Sequence, residues 1–413
     1  MLSLDDAWDH VRARLPRLPV ADVPLAAATG LVLAEDVNAT AAVPPFANSA
    51  VDGYAVRRRD VDGAPDGGDG LELDVVAEAA AGHVVDTEVG PGQAVRIMTG
   101  AAVPPGADAV VMVEDTERVA AASGGRERVR LLRAGAAGDH VRPAGDDLRP
   151  GALVAPAGTL LTPAHVGLLS TVGRSSVAVV RRPVVGVVST GDELVGVGTA
   201  LGPGQIYDSN RPQLLAAVAD AGFVAVDLGH VQDDEAEVES VLFEGASRCD
   251  AVLTSGGVSM GDHDLVKVVL DRVGDMRWMQ VAIKPAKPFA FGLLPGPAGP
   301  VPVFGLPGNP VSSLVSFELF ARPGVRTMMG HPHPGRRRVA ATAGTDLHRR
   351  PDGKTHFVRV VVEEGADGRL TVVPTTAQGS HQLTGLAAAQ GLAVLPDGTG
   401  AASGDAVRVL LLD

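Results

Sequence analysis

The stretch DAVLTSGGVSMGDHD, residues 250–264, decides the fold that this chain is predicted to adopt. An apolar run at 251–253 leads into Ser255, Gly256 and Gly257, after which come carboxylates and a helical pattern. Glycine lets the backbone approach a ligand closely, and the first N–H groups of a helix point outward, so this turn is a candidate anion site. A tight turn between strand and helix that binds nothing is the alternative.

The same order of apolar run, glycine turn and helical pattern occurs at two more places. These segments are PVVGVVSTGDEL at 183–194 and VPVFGLPGNPVSS at 301–313. Continuous apolar strands are typical of a parallel sheet, whose ligands lie outside the carboxyl ends of the strands. The sequence therefore predicts an α/β domain in which three polar turns form one pocket.

Helix signals place the remaining elements of this domain. The predicted helices are at 211–220, 235–248, 265–273 and 311–320. Asn210 is the expected N-cap of the first helix, and the last helix precedes the pair Pro323-Gly324.

The composition limits the partners of the chain. At roughly 150 residues per domain, 413 residues predict about three domains. The 35 basic and 49 acidic residues give a net charge of −14, and a nucleic-acid-binding protein is expected to carry a concentrated basic face instead. We therefore expect no nucleic-acid partner. An acidic protein that binds an anion needs local devices, such as helix N-termini, a few lysines or a divalent cation.

The chain is expected to be cytoplasmic, with no membrane partner. Its start, MLSLDDAWDHV, lacks the apolar core of a signal peptide, and arginines at 174, 181 and 182 interrupt the longest apolar stretch. The single cysteine, Cys249, excludes an internal disulfide and a cysteine-based zinc site.

Further carboxylates lie in turns outside the α/β domain. Asp52 precedes a glycine in VPPFANSAVDGYAV, where a carboxylate is either a ligand or base or simply a turn former. Asp146 and Asp147 lie in RPAGDDLRPG, where paired acids are either a solvated turn or metal ligands.

Eight motifs follow one another along nearly the whole chain: NSAVDGYAV, RIMTGAAVPPGADAVV, RPAGDD, VVSTGDEL, IYDSN, TSGGVSMGDHD, IKPAKPFAFG and GLPGNPVSS. Together they resemble the molybdopterin molybdenumtransferase family, of the MoeA and gephyrin E-domain type. The resemblance implies a multidomain α/β plus β fold. Its parts are an extended linking domain at 1–43 and 141–180, a β-rich inserted domain at 44–140, a three-layer α/β molybdopterin-binding domain at 181–330 and a C-terminal β-barrel at 331–413.

The resemblance also implies an activity. Members insert molybdate into adenylylated molybdopterin and release AMP in a Mg²⁺-dependent step. They are homodimers whose active site is shared between the α/β domain of one subunit and the β-rich domain of the other. Two alternatives stay open, namely an adenylyltransferase that acts on molybdopterin and a gephyrin-like scaffold that binds peptides.

Residue roles are carried over from the family at matching positions. Mg²⁺ prefers oxygen ligands and bridges phosphates, and its expected ligands are Glu193, Asp233 and Asp264. The expected catalytic residues are Asp52, Thr99, Asp147, Glu193, Asp233, Asp264 and Lys284, with Asp146 as the alternative to Asp147. The expected substrate-binding residues are Ser189, Thr190, Gly191, Asp208, Ser209, Ser255, Gly256, Gly257, Ser259, Lys287, Pro307, Gly308 and Asn309.

The chain departs from the family pattern near its lysine pair. Lys284 and Lys287 can meet phosphate or molybdate as point charges. Gln280 stands where some relatives carry another lysine, which is expected to weaken the binding of molybdate. Ala286 replaces the usual glycine of a PGKP turn, which predicts a backbone conformation that tolerates a Cβ atom.

Overall fold

The computed structural model describes residues 1–62, 70–119, 126–133, 137–258 and 265–412. Two of the expected site residues, Ser259 and Asp264, lie outside the described residues. No described helix combines the length and apolarity that a bilayer crossing requires. The cytoplasmic location stays a prediction.

The helices of the described residues vary from one to four turns. In chain order they are α1 (Leu4–Arg12), α2 (Arg58–Val61), α3 (Pro163–Thr171), α4 (Asn210–Asp220), α5 (Glu235–Arg248), α6 (Leu265–Val273), α7 (Pro310–Ser316), α8 (Arg322–Met328) and α9 (Leu383–Ala387). The first begins at an N-cap, since Ser3 Oγ accepts a hydrogen bond of 3.0 Å from the Asp6 N–H.

Thirteen strands precede the α/β domain. They are β1 (Val20–Pro24), β2 (Val32–Leu33), β3 (Val37–Asn38), β4 (Asn48–Ser49), β5 (Gly53–Val56), β6 (Leu71–Ala79), β7 (Gln93–Ile97), β8 (Ala109–Met112), β9 (Thr116–Val119), β10 (Arg128–Leu131), β11 (Val141–Arg142), β12 (Leu153–Ala155) and β13 (Ser176–Val180). β13 pairs with β1 and β2, and β12 pairs with β3, so two segments distant in sequence form one linking unit. Between them lies a six-stranded sheet in the order β8-β5-β7-β6-β10-β9.

Nine strands follow in the α/β region. They are β14 (Val184–Thr190), β15 (Leu194–Val195), β16 (Ile206–Tyr207), β17 (Val224–Val231), β18 (Ala251–Ser255), β19 (Asp275–Gln280), β20 (Ile283–Lys284), β21 (Pro288–Gly296) and β22 (Gly299–Leu306). The main sheet has the order β17-β14-β18-β22-β21-β19. Its first four strands are parallel, whereas β21 and β19 are antiparallel to their neighbours.

Helices cover both faces of this sheet, which gives it three layers. Successive residues of a strand point to opposite faces. Val187 packs in one core with Val218 of α4, whereas Val188 packs in another core with Val266 of α6. Because both faces are buried there, the central strands β14, β18 and β22 are largely apolar, as the sequence indicated, whereas the edge strands β17 and β19 are partly exposed and carry charged residues.

The C-terminal region closes into a barrel. Its strands are β23 (Arg338–Ala343), β24 (Leu347–His348), β25 (Thr355–Glu364), β26 (Leu370–Pro374), β27 (Gly391–Leu395), β28 (Gly400–Ala401) and β29 (Ala406–Leu411). Five of them, β25-β26-β23-β29-β27, close because β27 also pairs with β25. β20 pairs with β25 in parallel, with Lys284 opposite His356. This strand pairing joins the α/β domain directly to the barrel.

Two helix predictions are wrong in detail. Asn210 is the first residue of α4 rather than its N-cap, and its side-chain amide donates to Gly308 O at 2.6 Å. The helix expected to end before Pro323 instead passes through a π-helical turn at Phe317–Ala321 into α8. Pro323 lies in the first turn of α8, where proline is tolerated.

Candidate functional site

The three glycine turns meet at one edge of the main sheet, as predicted. They follow the neighbouring strands β14, β18 and β22. Gly256 N donates to Leu306 O at 3.1 Å, and a Cβ atom at Gly256 would lie 3.2 Å from Thr190 O. A Cβ atom at Gly308 would lie 3.9 Å from Gly256 Cα. The turns therefore form one continuous backbone surface.

The glycines of the central turn serve different purposes. Gly256 and Gly257 have φ values of +99° and +72°, which favour glycine. A side chain at Gly257 would also overlap the Cβ atom of Val266, so this glycine is needed for the packing of α6. Gly308 is exposed, and a Cβ atom there would meet only Gly256 Cα within 4 Å.

Asp208 supports this edge from within. The buried Ser189 hydroxyl donates to Asp208 Oδ2 at 2.6 Å, and Arg211 donates through N at 3.1 Å and Nε at 2.9 Å. Burial raises the pKa of Asp208, but these hydrogen bonds outweigh it and the pKa is lowered. Ser189 and Asp208, both predicted to bind substrate, thus also bond to each other. Ser209, predicted with them, lies at the N-cap position of α4 without a side-chain capping bond.

Carboxylates cluster beside the first turn. Asp233 N donates to Asp192 Oδ1 at 3.0 Å, and His230 Nε2 lies 2.8 Å from Gly191 O. Burial raises the pKa of Asp233, and the charges of Asp192 and Glu193 raise it further. Carboxylates that repel one another in this way favour a bound cation. Asp192 was missed, although it adjoins Glu193 in the GDEL motif.

This cluster fits Mg²⁺ as a partial site. Among the described ranges, no three histidine, cysteine, aspartate or glutamate side chains converge closely enough to hold a metal by themselves. Mg²⁺ usually keeps several waters and binds one or two carboxylates together with substrate phosphates. Glu193 and Asp233 supply that donor type, whereas Asp264, the third expected ligand, lies outside the described residues.

Asp52 and Thr99 form a unit on the β-rich sheet. The backbone N–H and the hydroxyl of Thr99 both donate to Asp52 Oδ1, at 2.7 and 2.8 Å. These bonds, the backbone one first, lower the pKa of Asp52. The carboxylate is exposed and ionised, and its second oxygen has no hydrogen-bond partner among the described residues.

Asp146 and Asp147 are both exposed in the loop before β12. Asp147 N donates to Val43 O at 2.9 Å, and Asp146 N donates to Pro143 O at 3.3 Å. Neither carboxylate hydrogen-bonds to a described residue, so geometry does not separate the two candidates. The other predicted residues of the third turn lie around α7: Pro307 is buried, and Asn309 occupies the N-cap position without a side-chain capping bond.

A cavity of about 820 Å³ lies between residues 283–288 and the barrel. It is rich in cationic side chains, which are Lys284, Lys287, Arg349, Arg350, Lys354 and Arg359. Its lining includes three of the four lysines of the chain and two carboxylates, those of Asp346 and Asp352. This cavity is not lined by the three glycine turns and is therefore a region separate from the predicted pocket; Ser312, on its lining, belongs to α7.

Arg359 is the distinctive residue of this cavity, and the sequence prediction missed it. It is 1% exposed, and its guanidinium donates only to backbone carbonyls among the described residues: Nε to Ala377 O at 3.3 Å and Nη2 to Gly379 O at 3.4 Å. Burial lowers its pKa, and no described carboxylate compensates its charge. An arginine inside the apolar run HFVRVVV was the available signal, because buried charges are normally paired.

The turn between the two predicted lysines differs from expectation. Ala286 is 3% exposed and has a φ value of +73°, in the left-handed region that favours glycine. The prediction that this position adopts a conformation suited to a Cβ atom is therefore wrong. Gln280 ends β19, and no described contact tests its expected effect on molybdate binding.

Similarity to known proteins covers the whole length of the chain. Residues 2–173 match the family model described as the MoeA N-terminal region (domain I and II), residues 186–327 match a probable molybdopterin binding domain, and residues 340–412 match the MoeA C-terminal region (domain IV).

Individual relatives agree with these matches. The chain is 40% identical over 381 residues to molybdopterin molybdenumtransferase 2 of Mycobacterium tuberculosis, covering 91% of this chain and 90% of the relative. It is 37% identical over 382 residues to molybdopterin molybdenumtransferase of Bacillus subtilis, covering 92% and 87%. The crystal structure of the molybdopterin biosynthesis MoeA protein from Pyrococcus horikoshii superposes with a TM-score of 0.82 at 29% identity, covering 100% of both chains.

These matches confirm the predicted fold class, with its α/β domain, β-rich part and C-terminal barrel, while the predicted domain boundaries stay predictions. Family models account for most of the chain, and the relatives share more than a third of its residues. The chain belongs to the MoeA family.

Proposed function

We propose that this chain is a molybdopterin molybdenumtransferase that inserts molybdate into adenylylated molybdopterin, with Mg²⁺ bound and AMP released. Relatives of this name match 91% and 92% of the chain. One observation carries the proposal: three glycine turns and a carboxylate cluster lie together at one edge of the sheet. The same edge is where α/β proteins bind their ligands. This edge suits a substrate that combines a flat ring with phosphates.

The pterin nucleotide binds along the glycine turns in this proposal. Ser255 Oγ and Asn210 Oδ1 are buried at this edge and have no hydrogen-bond partner among the described residues. Buried polar atoms are normally paired, so these two atoms are available to a ligand. Gly256 and Gly308 leave the backbone between them accessible.

Glu193 and Asp233 hold Mg²⁺ together with the substrate phosphates, and Asp192 fixes the backbone of Asp233. When bound, the cation neutralises phosphate charge in the leaving AMP group. The raised pKa of Asp233 supports this role, because the cation relieves the repulsion that causes it. Asp264, which the family resemblance adds to this set, completes the proposed donors.

Molybdate, the oxyanion reactant, binds in the cationic cavity. Arg359 offers a buried positive charge, and Lys284 and Lys287 are exposed on the same lining. Ser312 belongs to both the cavity lining and α7, whose start follows the Gly308 turn. In this proposal, α7 links the binding site of the oxyanion to that of the pterin.

The remaining expected residues act across a homodimer in this proposal. The described hydrogen bonds and ion pairs join none of residues 44–140 to residues 181–412. In this proposal, a second subunit brings the β-rich domain that carries Asp52 and Thr99 to the glycine turns. An ionised, exposed Asp52 held by Thr99 is suited to orient a polar group of the substrate.

The test is to incubate the purified protein with adenylylated molybdopterin, Mg²⁺ and molybdate. We expect AMP release that depends on molybdate, and molybdenum bound to the pterin product. Protein supplied with ATP and molybdopterin instead is expected to form no adenylylated product, which separates this proposal from an adenylyltransferase. AMP release that ignores molybdate would reject the proposed reaction.

A further inference from the structure

We infer that the cationic cavity selects a tetrahedral oxyanion that carries no proton, and rejects hydrogen phosphate, because Lys354 and His356 occupy the carboxylate of Asp352. The inference deepens the proposed function, since it rests on an oxyanion binding in this cavity. It assigns Lys354 and His356 to the selectivity of the site rather than to the reaction.

The selectivity follows from what each anion offers. Molybdate and sulfate at neutral pH are dianions that only accept hydrogen bonds. Hydrogen phosphate has nearly the same shape and charge but also carries an O–H group, which needs an acceptor. A bound phosphate whose proton faces only donors loses a hydrogen bond that water would supply. An ionised carboxylate is the strongest acceptor that a protein can provide for it.

Asp352 is the carboxylate that could serve as this acceptor, but hydrogen-bond donors of the protein already surround it. Its Oδ1 accepts from Arg349 Nη2 at 2.9 Å, and its Oδ2 accepts from Lys354 Nζ at 2.9 Å. His356 Nε2 lies 3.1 Å from Oδ1 and 3.2 Å from Oδ2. A carboxylate has about four acceptor positions, so little capacity is left for a ligand.

The second carboxylate of the lining is likewise engaged. Asp346 Oδ1 accepts from Ser403 N at 2.8 Å, and Oδ2 pairs with His348 Nε2 at 3.2 Å. This pair lies at the rim, where the His348 side chain is 81% exposed. Asp346 keeps part of its acceptor capacity, but it lies at the rim, whereas a ligand held by the buried Arg359 binds inside the cavity.

Gln378 offers at most a neutral acceptor, whose oxygen is already partly used. Its side-chain oxygen accepts from Arg359 N at 3.1 Å, and its amide nitrogen donates to Arg359 O at 2.8 Å. Apart from the carboxylate of Asp346 at the rim, the acceptors that remain on the described lining are neutral, such as the hydroxyls of Ser312 and Ser380. Neutral acceptors bind more weakly than a carboxylate, so the cavity favours the anion without a proton.

The experiment measures the binding of molybdate, sulfate and phosphate to the purified full chain by isothermal titration at neutral pH, without pterin. The wild-type protein is expected to bind molybdate roughly 10- to 100-fold more tightly than phosphate, from the cost of one unsatisfied hydrogen bond. Lys354→Met frees acceptor positions on Asp352. This variant is expected to bind every anion more weakly, because a positive charge is lost. The ratio of its affinity for molybdate to its affinity for phosphate is expected to fall about tenfold.

Two controls accompany this variant. Lys354→Arg keeps a side chain that donates to Asp352, so the ratio of the molybdate affinity to the phosphate affinity is expected to stay the same. Lys267→Met removes the lysine that lies outside the cavity, 5.8 Å over the ring of Trp278, and is expected to change no affinity.

The outcomes separate the inference from the proposal on which it rests. Equal affinity for molybdate and phosphate in the wild type, or an unchanged ratio in Lys354→Met, overturns the inference alone. Binding of none of the three anions overturns it together with the proposed position of molybdate. Selective molybdate binding by a protein that releases no AMP upholds the inference and overturns the proposed function.

Discussion

The glycine edge of the main sheet and the cationic cavity under the barrel handle negative charge in opposite ways. At the edge, backbone turns combine with the carboxylates of Asp192, Glu193 and Asp233, which need a cation before they can meet a phosphate. In the cavity, the side chains of Arg359 and the lysines are themselves the cations.

Under the proposed function, the difference explains how an acidic protein binds two anionic reactants at once. A phosphate reached through Mg²⁺ and an oxyanion reached through arginine and lysine do not compete for the same charges. The separation also means that each region can be disabled by itself, and the following predictions use this independence.

The largest expected effect is at the edge. Glu193→Gln removes a negative charge from the proposed Mg²⁺ site without changing the size of the side chain. We expect AMP release to fall by roughly 100-fold or more, as when a charge-stabilising group is lost from an active site. Initial rates over a range of Mg²⁺ concentrations would measure it.

The matched control is Glu237→Gln in the first turn of α5, which is exposed and outside the cluster. It is expected to retain normal rates. A Glu193→Gln enzyme with undiminished activity would show that the cluster does not serve the reaction.

The next effect is in the cavity. Arg359→Met removes the buried charge and, with it, charge-assisted bonds to the oxyanion, so KM for molybdate is expected to rise roughly 10- to 100-fold. KM for the pterin nucleotide is expected to stay the same, because the glycine edge is untouched. Steady-state kinetics with each substrate varied in turn would check both values.

Arg369→Met is the control for this variant, since Arg369 lies in the same barrel domain with a side chain that is 84% exposed. If Arg359→Met changed both KM values equally, the two regions would not be separate binding sites.

A smaller effect comes from mixing inactive subunits. Asp52→Ala and Glu193→Ala disable opposite halves of the proposed composite site, so each variant alone is expected to be inactive. After unfolding and refolding an equal mixture, half of the dimers are hybrids with one intact site, and about a quarter of wild-type activity is expected. Mixtures that stay as inactive as their components would contradict a site shared between subunits.

The smallest effect concerns stability. Because the pKa of Asp233 is raised in the folded protein, folding favours its protonated form. Stability is therefore expected to fall as pH rises from the ordinary aspartate pKa through the raised value, and the loss persists above it. At pH values above the raised pKa, added Mg²⁺ is expected to increase Tm by roughly 1–2 °C, since it binds only the folded site.

Thermal unfolding at two pH values, with and without Mg²⁺, would test this link. Asp233→Asn cannot ionise and is expected to lose both the pH dependence and the response to Mg²⁺. A wild-type Tm that is insensitive to Mg²⁺ at high pH would argue against a cation at this cluster.

Local patterns predicted much of the fold. The helices α5 and α6 have the bounds that the apolar periodicity indicated, because one strip of apolar residues decides which face is buried. Asn210 did not follow its local preference for a cap, since its amide bonds to Gly308 across the sheet edge. Tertiary contacts also explain why the helix continues past Pro323. Its apolar residues are buried in one core together with residues from other parts of the chain.

By itself, the sequence determined the family and the three strand-to-helix turns, since each motif and turn consists of residues close together along the chain. The family resemblance in turn grouped Glu193 with Asp233. Only the tertiary structure decided where the cationic cavity lies. Lys284 and Arg359 face it because β20 leaves the α/β domain and pairs with β25 of the barrel. That pairing joins segments far apart in sequence, and a charge such as that of Arg359 reveals its role only when its burial and its missing counter-ion are known.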